Sequence, residues 1–289
     1  IDDFKFDAAI IFSDLLFPLE YLGLGLEYAP GPKLSRKLDS LNTVKNLHPQ
    51  GKVVDFFNFQ KEALIELKKR LPKDKSALGF VGAPFTLYTY ACEGSHSGNL
   101  IESKKGLFDG RFEAFDEIIS PLLIENLSLQ AEGGADTLCL FDTASGELTP
   151  DDYLKFIAPS LRKITKTFKE IIPNKKLIYY SKMTHLETLE GLEDENIDVL
   201  GIDWRFDFSK AYKSLSKDYW VQGNLDPSHL FLPWTELEKK LQKIYLDMLK
   251  VDSSLEKWIF GLGHGVLPKT PQENVLKTVK YVQDNFKKQ

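Results

Sequence analysis

Cysteine is almost missing from this chain. Its two thiols, Cys92 and Cys139, cannot build a disulfide framework, and reduced thiols in a cytoplasmic protein are the expectation. No apolar run approaches the roughly 18 residues needed to span a bilayer, so a membrane helix is not expected. Basic charge is in deficit. The formal net charge is -5, and the five arginines (Arg36, Arg70, Arg111, Arg162, Arg205) are scattered rather than striped, which leaves no footprint for nucleic acid. His48, His96, His185, His229 and His264 stand in no His-x-Cys, His-Glu-x-x-His or Cys-x-x-Cys arrangement, so a zinc site would need ligands from unrelated loops and no metal is expected. No Gly-x-Gly-x-x-Gly follows a strand, which lowers a dinucleotide-binding reading. Gly94-Ser95-His96-Ser97-Gly98 follows a helix and is not the nucleophile elbow of a hydrolase.

What is present is core material. With 43% hydrophobic residues the chain fills a sizeable interior, so disorder is excluded. Ala8 to Phe12 is an apolar run of strand length that reads as buried on both faces, and it ends on Ser13-Asp14. Further strands are expected at Ala77 to Val81, Asp136 to Phe141, Leu177 to Tyr180, Asp198 to Ile202, Trp220 to Gln222 and Trp258 to Leu262. Helical periodicity fills the gaps: Val53 to Leu71, a segment through Tyr88, Tyr90 and Cys92 to Gly94, and Arg111 to Ala131 with Pro121 inside. Asp151 to Ile172, Trp234 to Lys250 and Pro271 to Phe286 complete the set. Gly23 to Pro32, rich in glycine and proline, reads as a loop.

Strand-helix alternation implies a parallel sheet. Seven repeats suit an α/β fold of the (β/α)8 TIM-barrel kind, one domain over residues 1–289, lacking its first β/α unit. In such a barrel the carboxyl ends of all strands converge on one mouth. The residues delivered there are Asp14, Gly82-Ala83-Pro84, Asp142-Thr143, Ser181, Asp203, Asn224 and His264, with Tyr90 leaning in from its helix. Taken singly, His264 reads as a structural histidine and Tyr90 as core. Several titratable groups at convergent strand ends favour a site.

The residues also carry a resemblance. Phe12-Ser13-Asp14-Leu15-Leu16 with Gly23 to Pro32, then Gly82-Ala83-Pro84-Phe85-Thr86-Leu87-Tyr88-Thr89-Tyr90, Phe141-Asp142-Thr143, Gln222-Gly223-Asn224-Leu225-Asp226-Pro227 and Gly261-Leu262-Gly263-His264-Gly265-Val266 resemble the uroporphyrinogen decarboxylase family, in family order and across the whole chain. The resemblance implies a cytoplasmic carboxy-lyase of haem biosynthesis with a (β/α)8 barrel, a homodimer, and no metal or organic cofactor. Its substrate would be uroporphyrinogen III, losing carboxylate from four acetate arms to give coproporphyrinogen III. By position, Asp14 matches the aspartate that accepts the pyrrole N–H bonds. Tyr90, Thr143 and His264 match the other substrate-contacting residues.

Two departures accompany it. The family's Arg-Gln-Ala-Gly-Arg-Tyr motif has no counterpart in this chain, and Ser181-Lys182-Met183-Thr184-His185 replaces a glycine-containing turn. The expectation drawn from the first is that the natural protein begins earlier than Ile1, with a strand gap between Ala8–Phe12 and Trp258–Leu262 and little turnover by residues 1–289 alone. The runner-up resemblance is to zinc-dependent cobamide methyltransferases of the same superfamily. They need a late cysteine, and none follows Cys139. A non-catalytic porphyrinogen-binding protein is the third reading.

Overall fold

The computed structural model describes residues 1–28, 31–95 and 98–287. Ala29 and Pro30 of the glycine-rich stretch, and His96 and Ser97, fall outside the described residues. Among the described residues the strands are β1 (Ala8–Ile10), β2 (Leu26–Tyr28), β3 (Pro32–Leu34), β4 (Ser76–Gly82), β5 (Thr137–Asp142), β6 (Lys176–Ser181), β7 (Val199–Gly201), β8 (Trp220–Leu225) and β9 (Trp258–Leu262). All seven expected strands form, and β2 and β3 are additional. The chain divides into a larger unit, Ala9–Ile197, and a smaller one made of Ile1–Ala8 with Asp198–Gln289.

In the larger unit β4, β5 and β6 form a parallel ladder, with Phe80 opposite Cys139 and Cys139 opposite Ile178. Strands covered on both faces need apolar residues at nearly every position, and Leu138, Leu140, Leu177 and Tyr179 are wholly buried. The Val53–Arg70 and Arg111–Glu132 helices pack on each other and on β4. The second does so through Phe115, Ile119, Leu123 and Leu127, a stripe at i, i+4 spacing with no exposed surface. Full burial of each such side chain contributes about 1.5–3 kcal/mol. One turn further on, Gln130 accepts from the Phe80 N–H at 2.8 Å and donates to the Phe80 carbonyl at 2.9 Å. Its amide bonds β4 as a neighbouring strand would.

Two expectations fail in this unit. The Ala8–Phe12 run is not buried on both faces: the strand stops at Ile10, Ile10 is half exposed and Phe12 is 99% exposed. β1 lies at the edge of its sheet beside β4, so one side of its backbone is unpaired and its side chains stay near the surface. Apolar composition alone does not distinguish an edge from a centre. The Gly23 to Pro32 stretch is also not all loop, because β2 and β3 pair antiparallel with Leu26 opposite Leu34. The Asp151 to Ile172 segment is helical as expected but irregular. A π-helical turn, Tyr153–Ile157, runs directly into the regular Ala158–Ile171 helix, and Pro159, which has no N–H to donate, follows that wider turn.

The smaller unit holds a second parallel ladder, β7 to β9, with Leu200 opposite Val221 and Gly223 opposite Phe260. Leu225, Leu230, Leu237 and Leu241 form its apolar centre, with Phe260, Leu262, Val275 and Tyr281 packed around them. β9 is half-buried along its whole length, less than its apolar sequence suggested. It is the last strand of its ladder, and edge position is again the reason. Among the described residues no helix is long and apolar enough to cross a membrane.

Candidate active site

The chain leaves β1 through Ser13-Asp14 and enters the short Phe17–Tyr21 helix. Asp14 is half-buried there. One of its oxygens accepts from the Leu16 N–H at 2.7 Å and the other from the Tyr28 hydroxyl at 2.6 Å. Gln60, reaching from the Val53–Arg70 helix, donates to the Ser13 hydroxyl at 3.1 Å and fixes the segment from below. A cleft of about 230 Å³ opens here, lined by Ser13, Asp14, Leu15, Leu16, Pro32 and Tyr90. Asp14 and Tyr90, nominated separately from the sequence, therefore share one cavity.

Tyr90 comes from the Pro84–Glu93 helix, which begins on Pro84, where the absent N–H is harmless, and stops at Gly94 in the left-handed conformation (φ 81°). Burial, and then the nearby Asp14 charge, raise the Tyr90 phenol above its usual range. It therefore enters the cleft as a protonated donor. Thr86 lies four residues earlier on the same helix face. Its hydroxyl accepts from the Thr143 N–H at 2.8 Å and the Ala144 N–H at 3.2 Å, and donates to Asp142 at 2.8 Å. One helix thus presents Tyr90 and fastens the loop that carries half-buried Thr143.

Asp142 was expected at the mouth, and the structure places it elsewhere. It has no exposed surface, and accepts from the Thr86 hydroxyl, from the Ser145 N–H at 3.2 Å and from the Tyr179 hydroxyl at 2.9 Å. Tyr153 in turn donates to Tyr179 at 3.0 Å. Burial pushes the Asp142 carboxyl above its usual range, opposed by the bonds from Thr86 and Tyr179. Ser181 is likewise fully buried, as is Asp203 in the smaller unit, and Asn224 spends its amide on the carbonyls of Asp203 and Phe206. Asp142, Asp203 and Asn224 thus hold loops, because a carboxylate or amide just below a strand end is the nearest partner for stranded backbone N–H and C=O groups.

In the smaller unit His264 follows β9 and is exposed, its ring edge-on to Trp204 with centroids 6.1 Å apart. It is not packed into a helical layer. Sequence reasoning missed Tyr28, Thr86, Tyr179 and Tyr153. The Thr86–Tyr90 spacing of four was a usable signal, whereas nothing local marked Tyr28 as the partner of Asp14. Among the described residues no group of three or more His, Cys, Asp or Glu side chains is placed to hold a metal ion. Burial pushes the Cys92 thiol up to about 12 and raises Cys139 as well, so neither is a ready thiolate.

Comparison with known proteins places the chain in a family. The family model described as uroporphyrinogen decarboxylase (URO-D) matches residues 1–285. The uroporphyrinogen decarboxylase of Pelobacter propionicus is 32% identical over 285 residues, covering 98% of this chain and 82% of that protein. That of Helicobacter pylori (strain G27) is 36% identical over 285 residues, covering 96% and 80%. Among solved structures, a methyltransferase from Methanosarcina mazei superposes with a TM-score of 0.76 over 96% of this chain and 80% of its own. At 15% identity that likeness concerns the fold alone.

Proposed function

The chain belongs to the uroporphyrinogen decarboxylase family, and from that premise we propose how its residues carry out the decarboxylation of uroporphyrinogen III to coproporphyrinogen III. It is a carboxy-lyase of tetrapyrrole biosynthesis. The observation that carries the mechanistic reading is the cleft shared by Asp14 and Tyr90. Loss of CO2 from an acetate arm leaves an electron pair that needs a sink. Protonating the pyrrole ring carbon provides one, as a cation delocalised onto nitrogen. The C–C bond to the carboxylate then breaks and its electrons neutralise the cation. Protonation of the exocyclic carbon gives the methyl group, and the proton first added to the ring carbon leaves to solvent, restoring the aromatic pyrrole. Asp14 accepts the pyrrole N–H bonds and stabilises the cation, most strongly where water is excluded.

Tyr90, Thr143 and His264 bond the carboxylate arms. Tyr90→Phe is expected to weaken tetrapyrrole binding by roughly 0.5–1.5 kcal/mol, the usual worth of one neutral hydrogen bond. Titration with uroporphyrin checks it, and an unchanged dissociation constant removes Tyr90 from the site. The activity itself is tested by incubating the intact protein with uroporphyrinogen III and separating the oxidised products. Coproporphyrin is the expected product without added metal or cofactor, and its absence sinks the reading.

The same reading makes residues 1–289 one (β/α)8-type barrel domain in a cytoplasmic, metal-free homodimer. The Methanosarcina mazei likeness supports the barrel. A single unfolding transition, a dimer mass by sedimentation and zinc below stoichiometry in elemental analysis are the expected results. Two resolved transitions, a monomer or one zinc per chain would each overturn the corresponding statement.

A further inference from the structure

We propose that Arg205 is a substrate-binding residue, holding one of the carboxylates that the reaction leaves in place; this rests on the decarboxylase reading above. The observation is a fixed cation in the smaller unit. After β7 the chain turns through Asp203-Trp204-Arg205. The Asp203 carboxylate is wholly buried, accepting from the Arg205 backbone N–H at 2.9 Å and from its Nη1 at 2.7 Å. The guanidinium lies 4.2 Å above the Trp204 ring. A buried anion and an aromatic face thus fix it from two directions, which limits the freedom a long side chain loses on binding.

The loop beneath is rigid for two further reasons. Asn224, in β8, donates to the carbonyls of Asp203 and Phe206 at 2.9 and 3.1 Å. Gly263, at the end of β9, presses so closely that a side-chain carbon there would sit 2.3 Å from the Trp204 nitrogen. Only glycine permits that approach, and it sets His264 edge-on to Trp204. Three strand ends therefore bring an imidazole and a guanidinium against one indole ring. The Arg205 side chain is 43% exposed, so guanidinium donors beyond the one on Asp203 reach solvent, as does the exposed His264 on the same indole.

A planar fork of N–H donors next to an imidazole suits a carboxylate. The substrate offers two kinds. An acetate carboxylate leaves as neutral CO2, so an ion pair to it would favour the ground state and slow the step. A propionate carboxylate keeps its charge throughout. Arg205 therefore holds a propionate, contributing equally to substrate, transition state and product.

That assignment fixes a kinetic signature. In the intact protein, Arg205→Gln is expected to raise both KM for uroporphyrinogen III and the inhibition constant of coproporphyrinogen III by about tenfold or more, the weight of one charge-assisted hydrogen bond. The turnover number should stay within about twofold, because uniform binding is what is lost. Arg205→Lys should recover part of both constants. Because Arg205→Gln also strips a partner from buried Asp203, the double variant Asp203→Asn/Arg205→Gln, with its folding checked by circular dichroism, should show the same shifts. A folded double variant with wild-type constants, or a loss confined to turnover, overturns the proposal. A wild-type protein that makes no coproporphyrinogen instead overturns the decarboxylase reading, and this assignment with it.

Discussion

Asp14→Asn is expected to lower turnover by a hundredfold or more while the melting temperature stays close to wild type. The substitution keeps the shape of the side chain. Its remaining oxygen still accepts from the Leu16 N–H, and the Tyr28 hydroxyl can turn to accept from the new amide. What vanishes is the negative charge that the proposed mechanism sets opposite the ring cation. Removing one such contact typically costs about 2.7–4 kcal/mol of transition-state stabilisation. Substrate affinity should change much less, since the cation exists only along the reaction path. Steady-state kinetics beside a thermal melt decide it. Turnover within a few-fold of wild type would dismiss Asp14 as the electrostatic centre, and a collapsed melt would make it a structural residue.

The second large effect is on stability. Asp142→Ala is expected to destabilise the fold by roughly 3–9 kcal/mol, because it strands the buried donors of Thr86, Tyr179 and Ser145 at about 1–3 kcal/mol each. Domains have only about 5–15 kcal/mol in hand, so this variant lies near the folding limit. Asp142→Asn keeps an acceptor and a donor in the same volume and should retain most of the stability. Its pH dependence is a sharper test. Burial raises the Asp142 carboxyl in the folded protein, so its contribution is complete below the unfolded carboxyl's range and is lost as pH rises through the raised value. The advantage of wild type over Asp142→Asn should therefore shrink from the ordinary aspartate range upward. Denaturant melts across that range measure it, and a difference that grows with pH contradicts the burial argument.

Much of this was legible from residues in order. The strands ending at Gly82, Asp142 and Ser181 are apolar runs bounded by polar or glycine residues, and burial on both faces leaves little choice of composition. The helix through Tyr90 was legible because Pro84 and Gly94 punctuate it. What escaped was partnership. Phe12 and Leu140 are equally apolar, yet one is exposed and the other buried, because edge or centre is decided by which strand lies alongside. Asp14 and Asp142 both end strands. The first faces a cleft and the second is enclosed, since Thr86 and Tyr179, both far away in sequence, converge on it beside its neighbour Ser145. Tyr28 sits among glycines and prolines that read as loop, so its bond to Asp14 had no local sign.

That bond sets the condition in which Asp14 would meet the ligand proposed for it. A carboxylate offers about four lone-pair positions, and Leu16 and Tyr28 occupy one on each oxygen. Among the described residues one acceptor position per oxygen is left, with the plane of the group already defined. The side chain is ordered before anything arrives, so the rotamer entropy of roughly 0.5–1.5 kcal/mol that a loose side chain surrenders on binding has been spent during folding.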